Sequence, residues 1–320
     1  MAFTPGITRF RAYQLGSPGS SFTYFADGRF RLVEARLTDH SKPSLEREMD
    51  ICRVDRGDAL DITSWDEDHC SARELQGLLL MVRPRRIEIP AFAPPTQNAR
   101  EALRLIRGYQ ASQNEPVEVQ AISPEYIGGL PPASAAAFRP VFYHPDYFDE
   151  VCNNNNSTVK LYREGSFNVL SLGDVECGQL SARLRRCSVL TRETDVMILA
   201  HHGADNGFTT EAFLERVAPR IAICTSDHGN QYDHPRQEIR DLLFEQGIRL
   251  MTTKTGDVVV RSTGTHTGEF VAINYIARST EESSRVAFTA KKARLLSHND
   301  DTIRDLYRPT PPYRNLPRRL

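Results

Sequence analysis

Asp66-Glu67-Asp68-His69, taken with Gly173-Asp174, His201-His202-Gly203 and Tyr232-Asp233-His234-Pro235, decides how this chain is read. Oxygen and imidazole donors are spread over four loops, and each loop follows a segment with the pattern of a buried strand. A structural zinc site draws on paired cysteines at short spacing, whereas a catalytic site uses His and carboxylates and keeps a position open for water. The pattern therefore suits a hydrolytic metal centre. Taken singly, Asp66-x-Asp68-His69 fits a solvated turn and His201-His202 fits one capping and one core histidine; together with Asp174 and His234 they form a ligand set. His228 stays outside it.

Outward from these loops, the second half alternates strand and helix. Ser157 to Leu161 and Phe167 to Leu172 form a hairpin through Glu164-Gly165, and Asp195 to Ala200 is an apolar strand running into His201. Thr210 to Val217 is a helix, Ile221 to Thr225 a strand and Pro235 to Gln246 a helix, and Leu250 to Thr252 and Val258 to Arg261 close the sheet. The first half is richer in strands: Phe10 to Leu15, Phe22 to Phe25, Arg29 to Leu37 after the Asp27-Gly28 turn, Asp58 to Thr63, and Arg86 to Ile89. Residues 71 to 83 and Asn98 to Gln113 have helical spacing, and residues 114 to 150 are Pro-rich and irregular, an edge or lid. Two packed sheets covered by helices is the economical α/β architecture.

At 320 residues, 40% hydrophobic and 25% charged, the chain has the composition of a soluble globular protein. Its formal net charge of −1 announces neither nucleic acid nor membrane as a partner. No apolar run approaches a membrane span, and Met-Ala-Phe-Thr-Pro-Gly lacks the regions of a signal peptide. The six scattered cysteines point to a reduced, cytoplasmic protein, with Cys70 beside His69 a candidate reactive thiol or ligand. Residues 1–278 are expected to form the folded domain and 279–320 a basic, Pro-rich tail. From 291 onward Lys291, Lys292 and six arginines face three aspartates. A protein partner is expected on the 114–150 segment or on this tail.

From about residue 8 to 275 the chain resembles the metallo-β-lactamase superfamily, and within it the hydrolase domain of ComEC-type DNA-internalisation proteins. The resemblance is carried by Asn153-Asn154-Asn155-Asn156-Ser157, Leu172-Gly173-Asp174-Val175-Glu176, Leu199-Ala200-His201-His202-Gly203 and Asn230-Gln231-Tyr232-Asp233-His234-Pro235. It implies an αββα sandwich of two mixed sheets flanked by helices, with metals at one edge. Two departures stand out. The family's metal loop begins with a histidine where this chain has Ser64, and its early acidic turn becomes Gln14-Leu15-Gly16-Ser17-Pro18-Gly19-Ser20. No transmembrane channel is attached, so the resemblance implies a hydrolase scaffold and not a transporter.

The implied ligands are Asp66, Asp68, His69, Asp174, His201, His202 and His234. Asp68 and His69 would hold one metal with Asp174 and a later histidine. Asp174 would bridge to a second, weaker site shared with Asp66. Without a histidine at position 64 that second site is oxygen-rich, which favours Mn²⁺ or Mg²⁺ over tight Zn²⁺. The expected chemistry is hydrolysis by metal-bound hydroxide, with His234 or Tyr232 serving the leaving group and Asp66 as base if it binds no metal. The expected substrate is a phosphodiester in nucleic acid or a nucleotide. Two alternatives are a degenerate scaffold acting as a binding subunit in a multiprotein system, such as one of bacterial defence, and hydrolysis of a small ester, lactone or phosphoester. Trp65 is expected to pack over the site or to stack on a base.

Overall fold

Short turns and long crossovers divide the strands into two sheets. In the computed structural model residues 7–132, 139–263 and 268–293 are described. β1 (Arg9–Ala12), β2 (Phe22–Ala26) and β3 (Arg29–Val33) form an antiparallel meander. After β3 each strand is followed by a helix: α1 (Lys42–Cys52), α2 (Ala72–Val82) and α3 (Gln97–Ser112). Such crossovers allow β4 (Ala59–Asp61), β5 (Arg86–Pro90) and β6 (Glu118–Ile122) to add in parallel.

The short helix α4 (Pro124–Gly128) precedes the second sheet. There β7 (Val141–His144), β8 (Val159–Tyr162) and β9 (Val169–Ser171) are antiparallel. Beyond them β10 (Val196–Ile198), β11 (Ile221–Cys224) and β12 (Arg249–Thr252) continue in parallel. Their crossovers contain α5 (Gly178–Leu184), α6 (Ser188–Glu193), α7 (Glu211–Val217) and α8 (Gln237–Glu245). The chain then returns to the first sheet with β13 (Val258–Ser262), β14 (Glu269–Tyr275) and β15 (Glu282–Thr289), giving the order β15-β14-β13-β1-β2-β3-β4-β5-β6.

Three apolar layers define the architecture. Phe10, Phe22, Val169, Ile198, Ile223 and Val260 pack between the sheets. Leu45, Leu78, Ala102 and Ile106 seal α1, α2 and α3 onto the first sheet, and Leu180, Phe213, Ile239 and Leu243 seal the later helices onto the second. This is the expected αββα sandwich of two mixed sheets flanked by helices. At one place the middle layer is ionic: buried Lys160 of β8 donates to Asp61 at 2.7 Å and to Glu88 at 2.5 Å, joining the two sheets.

Several local expectations need correction. The 114–150 segment is not uniformly irregular, since β6, α4 and β7 lie within it. β12 and β13 do not close one sheet, because the chain crosses between sheets after residue 252. Nor does ordered structure stop at 278. β15 pairs along β14, and Lys291 Nζ donates to Thr191 O at 2.9 Å while its backbone N–H donates to Asp195 at 2.7 Å. The remainder of the expected tail, from 294, lies outside the described residues. Among the described residues no helix is long and apolar enough to cross a membrane.

Candidate metal centre

Ligands in open α/β sheets gather beyond the carboxyl ends of the strands, and the loops after β3, β4, β9, β10 and β11 meet there. Gly173 turns the chain just past β9 with φ +56°, and a Cβ there would lie 2.8 Å from Ser157 Cβ. Glycine is therefore required at that turn, which delivers Asp174. Past β10, His201 and His202 both take left-handed backbone, with φ of 46° and 54°. Two consecutive residues in this sparsely populated region are held by their surroundings: His201 N donates to Gly173 O at 2.9 Å, and the His202 ring is pinned to Thr225.

Asp68, His69, Asp174 and His202 each bring one ligand atom into a group whose members lie within 4.8 Å of one another. His202 Nδ1 sits 2.6 Å from Thr225 O. A carbonyl only accepts, so Nδ1 carries a hydrogen, and Nε2 is the nitrogen turned to the group, where a cation would take the place of its proton. That Nε2 lies 3.2 Å from Asp68 Oδ2 and 3.7 Å from Asp174 Oδ1. His69 Nε2 is 2.8 Å from Asp174 Oδ1, and its Nδ1 is 3.1 Å from Glu34 Oε1. Despite these distances both His69 nitrogens and Asp174 Oδ1 are buried without a hydrogen bond of proper geometry. Buried polar atoms in that condition call for an explanation. His69 Nε2 and Asp174 Oδ1 face the same group without bonding each other, as the donors of a cation do.

The electrostatics agree. Against the opposing cost of burial, the His69 and His202 charges hold the Asp174 carboxyl below the usual range, and the same two rings depress Asp68. Burial works against the charged form of His69 as well, yet Asp174, Glu34 and Asp68 drive it well above the ordinary histidine value. His202 moves upward for the same reason, led by Asp174. Three carboxylates around two imidazoles make a pocket of negative charge that a divalent cation fits. Two imidazole nitrogens and two carboxylate oxygens are a donor set for Zn²⁺ or Mn²⁺. Asp68 is the ligand with most access to water, its side chain 34% exposed, so the group opens on that side.

Of the other expected site residues, none enters the group. Asp66 accepts from Ser64 Oγ at 2.6 Å, and the same hydroxyl accepts from Asp66 N at 3.2 Å. The serine that replaces a histidine thus ties up the carboxylate expected to share a second metal. His201 turns away to Glu176, with Nδ1 3.2 Å from Oε2, while Cys152 Sγ donates to the other oxygen of Glu176 at 2.7 Å. His234 stacks on His202 with ring centroids 6.5 Å apart. Burial first, then the neighbouring His202 and His201, lowers His234 to about 4, so its ring is neutral at pH 7. Tyr232 stacks on His234 and is exposed. Trp65 is buried and donates to Phe92 O at 3.1 Å, the packing role. Burial pushes the Cys70 thiol up to about 12, which removes it as a reactive thiol.

One participant was not legible in the motifs. Glu34, just past β3, is 1% exposed and has φ +68°. It accepts from Thr63 N at 3.0 Å and Thr63 Oγ1 at 2.5 Å while facing His69 Nδ1. A carboxylate behind a ligating histidine fixes its tautomer and orientation. The available signal was an acid inside an apolar run, Leu32-Val33-Glu34-Ala35.

No family model matches this chain. It is 26% identical over 200 residues to ComE operon protein 3 of Bacillus subtilis (strain 168), covering 61% of this chain and 23% of that protein. It is 28% identical over 113 residues to competence protein ComA of Neisseria gonorrhoeae, covering 35% and 16%. The sequence is ComEC-like. The matched part spans about a quarter or less of each ComEC-type relative. Among solved structures, the metallo hydrolase Igni18 of Ignicoccus hospitalis gives a TM-score of 0.48 at 12% identity, over 79% of this chain and 98% of that one. The metallo-β-lactamase fold protein YhfI of Bacillus subtilis gives 0.47 at 13%, over 79% and 100%. The fold assignment rests on the layers and strand order described above.

Proposed function

We propose that this chain is a metal-dependent hydrolase of phosphodiesters in nucleic acid or a nucleotide, working with one firmly held divalent cation. The observation behind this reading is the convergence of Asp68, His69, Asp174 and His202, with His69 Nε2 and Asp174 Oδ1 buried and left without a hydrogen bond. When bound, such a cation lowers the pKa of a water ligand and stabilises charge on a phosphoryl oxygen. The chain's own residues supply the rest. Glu34 and Thr225 fix the rings of His69 and His202, and Asp68 lines the open side where substrate enters. Asp66, braced by Ser64, orients the attacking water, and neutral His234 offers a hydrogen bond at the rim. The second site expected through Asp66 is weak, because Ser64 competes for that carboxylate.

The test is metal per chain by elemental analysis on protein purified without chelators, beside Asp174→Ala, followed by a panel of phosphodiesters and carboxylic esters. About one equivalent of Zn or Mn, lost in the variant, with cleavage confined to phosphodiesters, supports the proposal. Full hydrolysis by Asp174→Ala would sink it. The Ser64–Asp66 pairing also fits a scaffold retained for binding, and that reading predicts no metal after incubation with Zn²⁺ or Mn²⁺.

A further inference from the structure

A file of near-parallel rings leads from the ligand group to the surface. His202 and His234 lie 6.5 Å apart with planes 17° from parallel, and His234 and Tyr232 lie 5.5 Å apart at 24°. Exposure rises along the file: His202 is buried, His234 is half-buried, and Tyr232 is 60% exposed. The outermost ring therefore rests on His234 and keeps most of its surface in water. An exposed aromatic is unremarkable on its own, but this one sits on a braced loop. Asn230 Oδ1 accepts from His234 N at 2.7 Å, while its Nδ2 donates to Asp227 O at 2.8 Å and His234 O at 3.1 Å. Arg236 N donates to Gly203 O at 3.0 Å, fastening the loop to the His-His-Gly turn. The half-exposed Arg236 guanidinium donates to Tyr232 O at 3.3 Å and lies 3.9 Å from Glu238 Oε2, setting a cation with one loose acidic neighbour at the foot of the ring.

We infer that Tyr232 is the platform on which an unpaired base of the substrate stacks, with Arg236 meeting a phosphate of the same strand; this rests on the nucleic-acid reading above. Stacking on an aromatic face beside a cation recognises single strands without regard to sequence, because every base has a π-face. The braced loop limits the freedom Tyr232 loses when a base arrives, so little of the interaction is spent on ordering. A paired base is already covered on both faces and must first be unstacked to reach the ring. The substrate class narrows accordingly, from phosphodiesters at large to single-stranded nucleic acid or nucleotides. Tyr232 then sets specificity, in place of the leaving-group role expected from sequence.

The test is isothermal titration, in Mn²⁺, of a thymidylate octamer and of an abasic octamer with the same backbone charge. The proteins are the wild type, Tyr232→Ala, Tyr232→Phe and the control Phe244→Ala, which removes an exposed ring on α8. Tyr232→Ala should weaken the thymidylate octamer by roughly 5- to 150-fold. It should leave the abasic octamer unchanged, while Tyr232→Phe and Phe244→Ala bind as wild type does. Equal weakening of both oligomers by Tyr232→Ala, or of neither, overturns the platform. Failure of the wild type to bind either oligomer in Mn²⁺, Mg²⁺ or Zn²⁺ overturns the nucleic-acid reading itself.

Discussion

Replacing Glu34 by Gln tests the metal centre through a residue that no motif announced. In the native arrangement Oε1 faces both Thr63 Oγ1 and His69 Nδ1, while Oε2 accepts from Thr63 N. Glutamine has a single oxygen. If that oxygen takes the Oε1 position, the amide NH₂ is forced against the Thr63 N–H, donor against donor. If it takes the Oε2 position, the NH₂ faces His69 Nδ1, which must then accept, so the hydrogen moves to Nε2 where the lone pair is needed. Either way the change is felt at the metal. Loss of such an outer carboxylate costs about 10- to 100-fold in metal affinity, or about 1.4 to 2.7 kcal/mol. Competition against a chromophoric chelator measures this, with melting of the chelated variant as the check on folding. Nitrogen NMR of the imidazoles adds a direct readout, the hydrogen on His69 shifting from Nδ1 to Nε2. Native affinity in a folded variant, with the His69 tautomer unchanged, would refute the assignment.

Other outcomes follow from the packing. Lys160→Met strands the Asp61 and Glu88 carboxylates between the sheets. Urea unfolding should show a loss of about 3–5 kcal/mol, and a loss no larger than that of a surface substitution would count against the ionic layer. Burial raises the Asp195 carboxyl from 3.8 to about 6, only partly offset by the backbone N–H groups of Lys291 and Asn168. A raised acid contributes stability that is complete below its unfolded value and is lost as pH climbs through the folded one. Stability should therefore fall between about pH 4 and 6 by at most about 3 kcal/mol, and Asp195→Asn should abolish that slope. Gly203 has φ +83°, and a Cβ there would meet Pro235 Cβ at 2.7 Å. Gly203→Ala should cost about 1–3 kcal/mol and weaken metal binding by parting the two loops; unchanged melting and affinity would show that they do not rely on this contact.

The elements legible in the sequence were those whose apolar residues keep a period. β2, β5, β8 and β11, and the helices α2, α3 and α7, fall close to their expected ranges because each buries a continuous stripe. α1 escaped because Pro43, Glu46, Arg47 and Glu48 dilute its stripe to Leu45, Met49 and Cys52. Glu48 is buried there only because Arg9 and Arg11, more than thirty residues away, neutralise it. β15 escaped because Glu-Ser-Ser-Arg at its start is polar, as an edge strand with one wet face can be. At the site, adjacency in sequence misled twice. Asp66 stands two residues from Asp68 yet bonds Ser64, and His201 stands beside His202 yet faces Glu176. Glu34 was invisible for the opposite reason, since its partners Thr63 and His69 arrive from a different crossover. Local pattern names candidate ligands, and only long-range packing decides which of them turn inward.

Trp65 has a use beyond packing. The chain has one tryptophan beside eleven tyrosines, and that indole lies inside the loop that ends in Asp68 and His69, its N–H fixed to Phe92 O. Light absorbed at the red edge of the near-ultraviolet band is taken up by this ring alone. Its emission colour and lifetime therefore belong to a single loop in an otherwise silent protein, and cation entry three residues away can be followed in real time without a label.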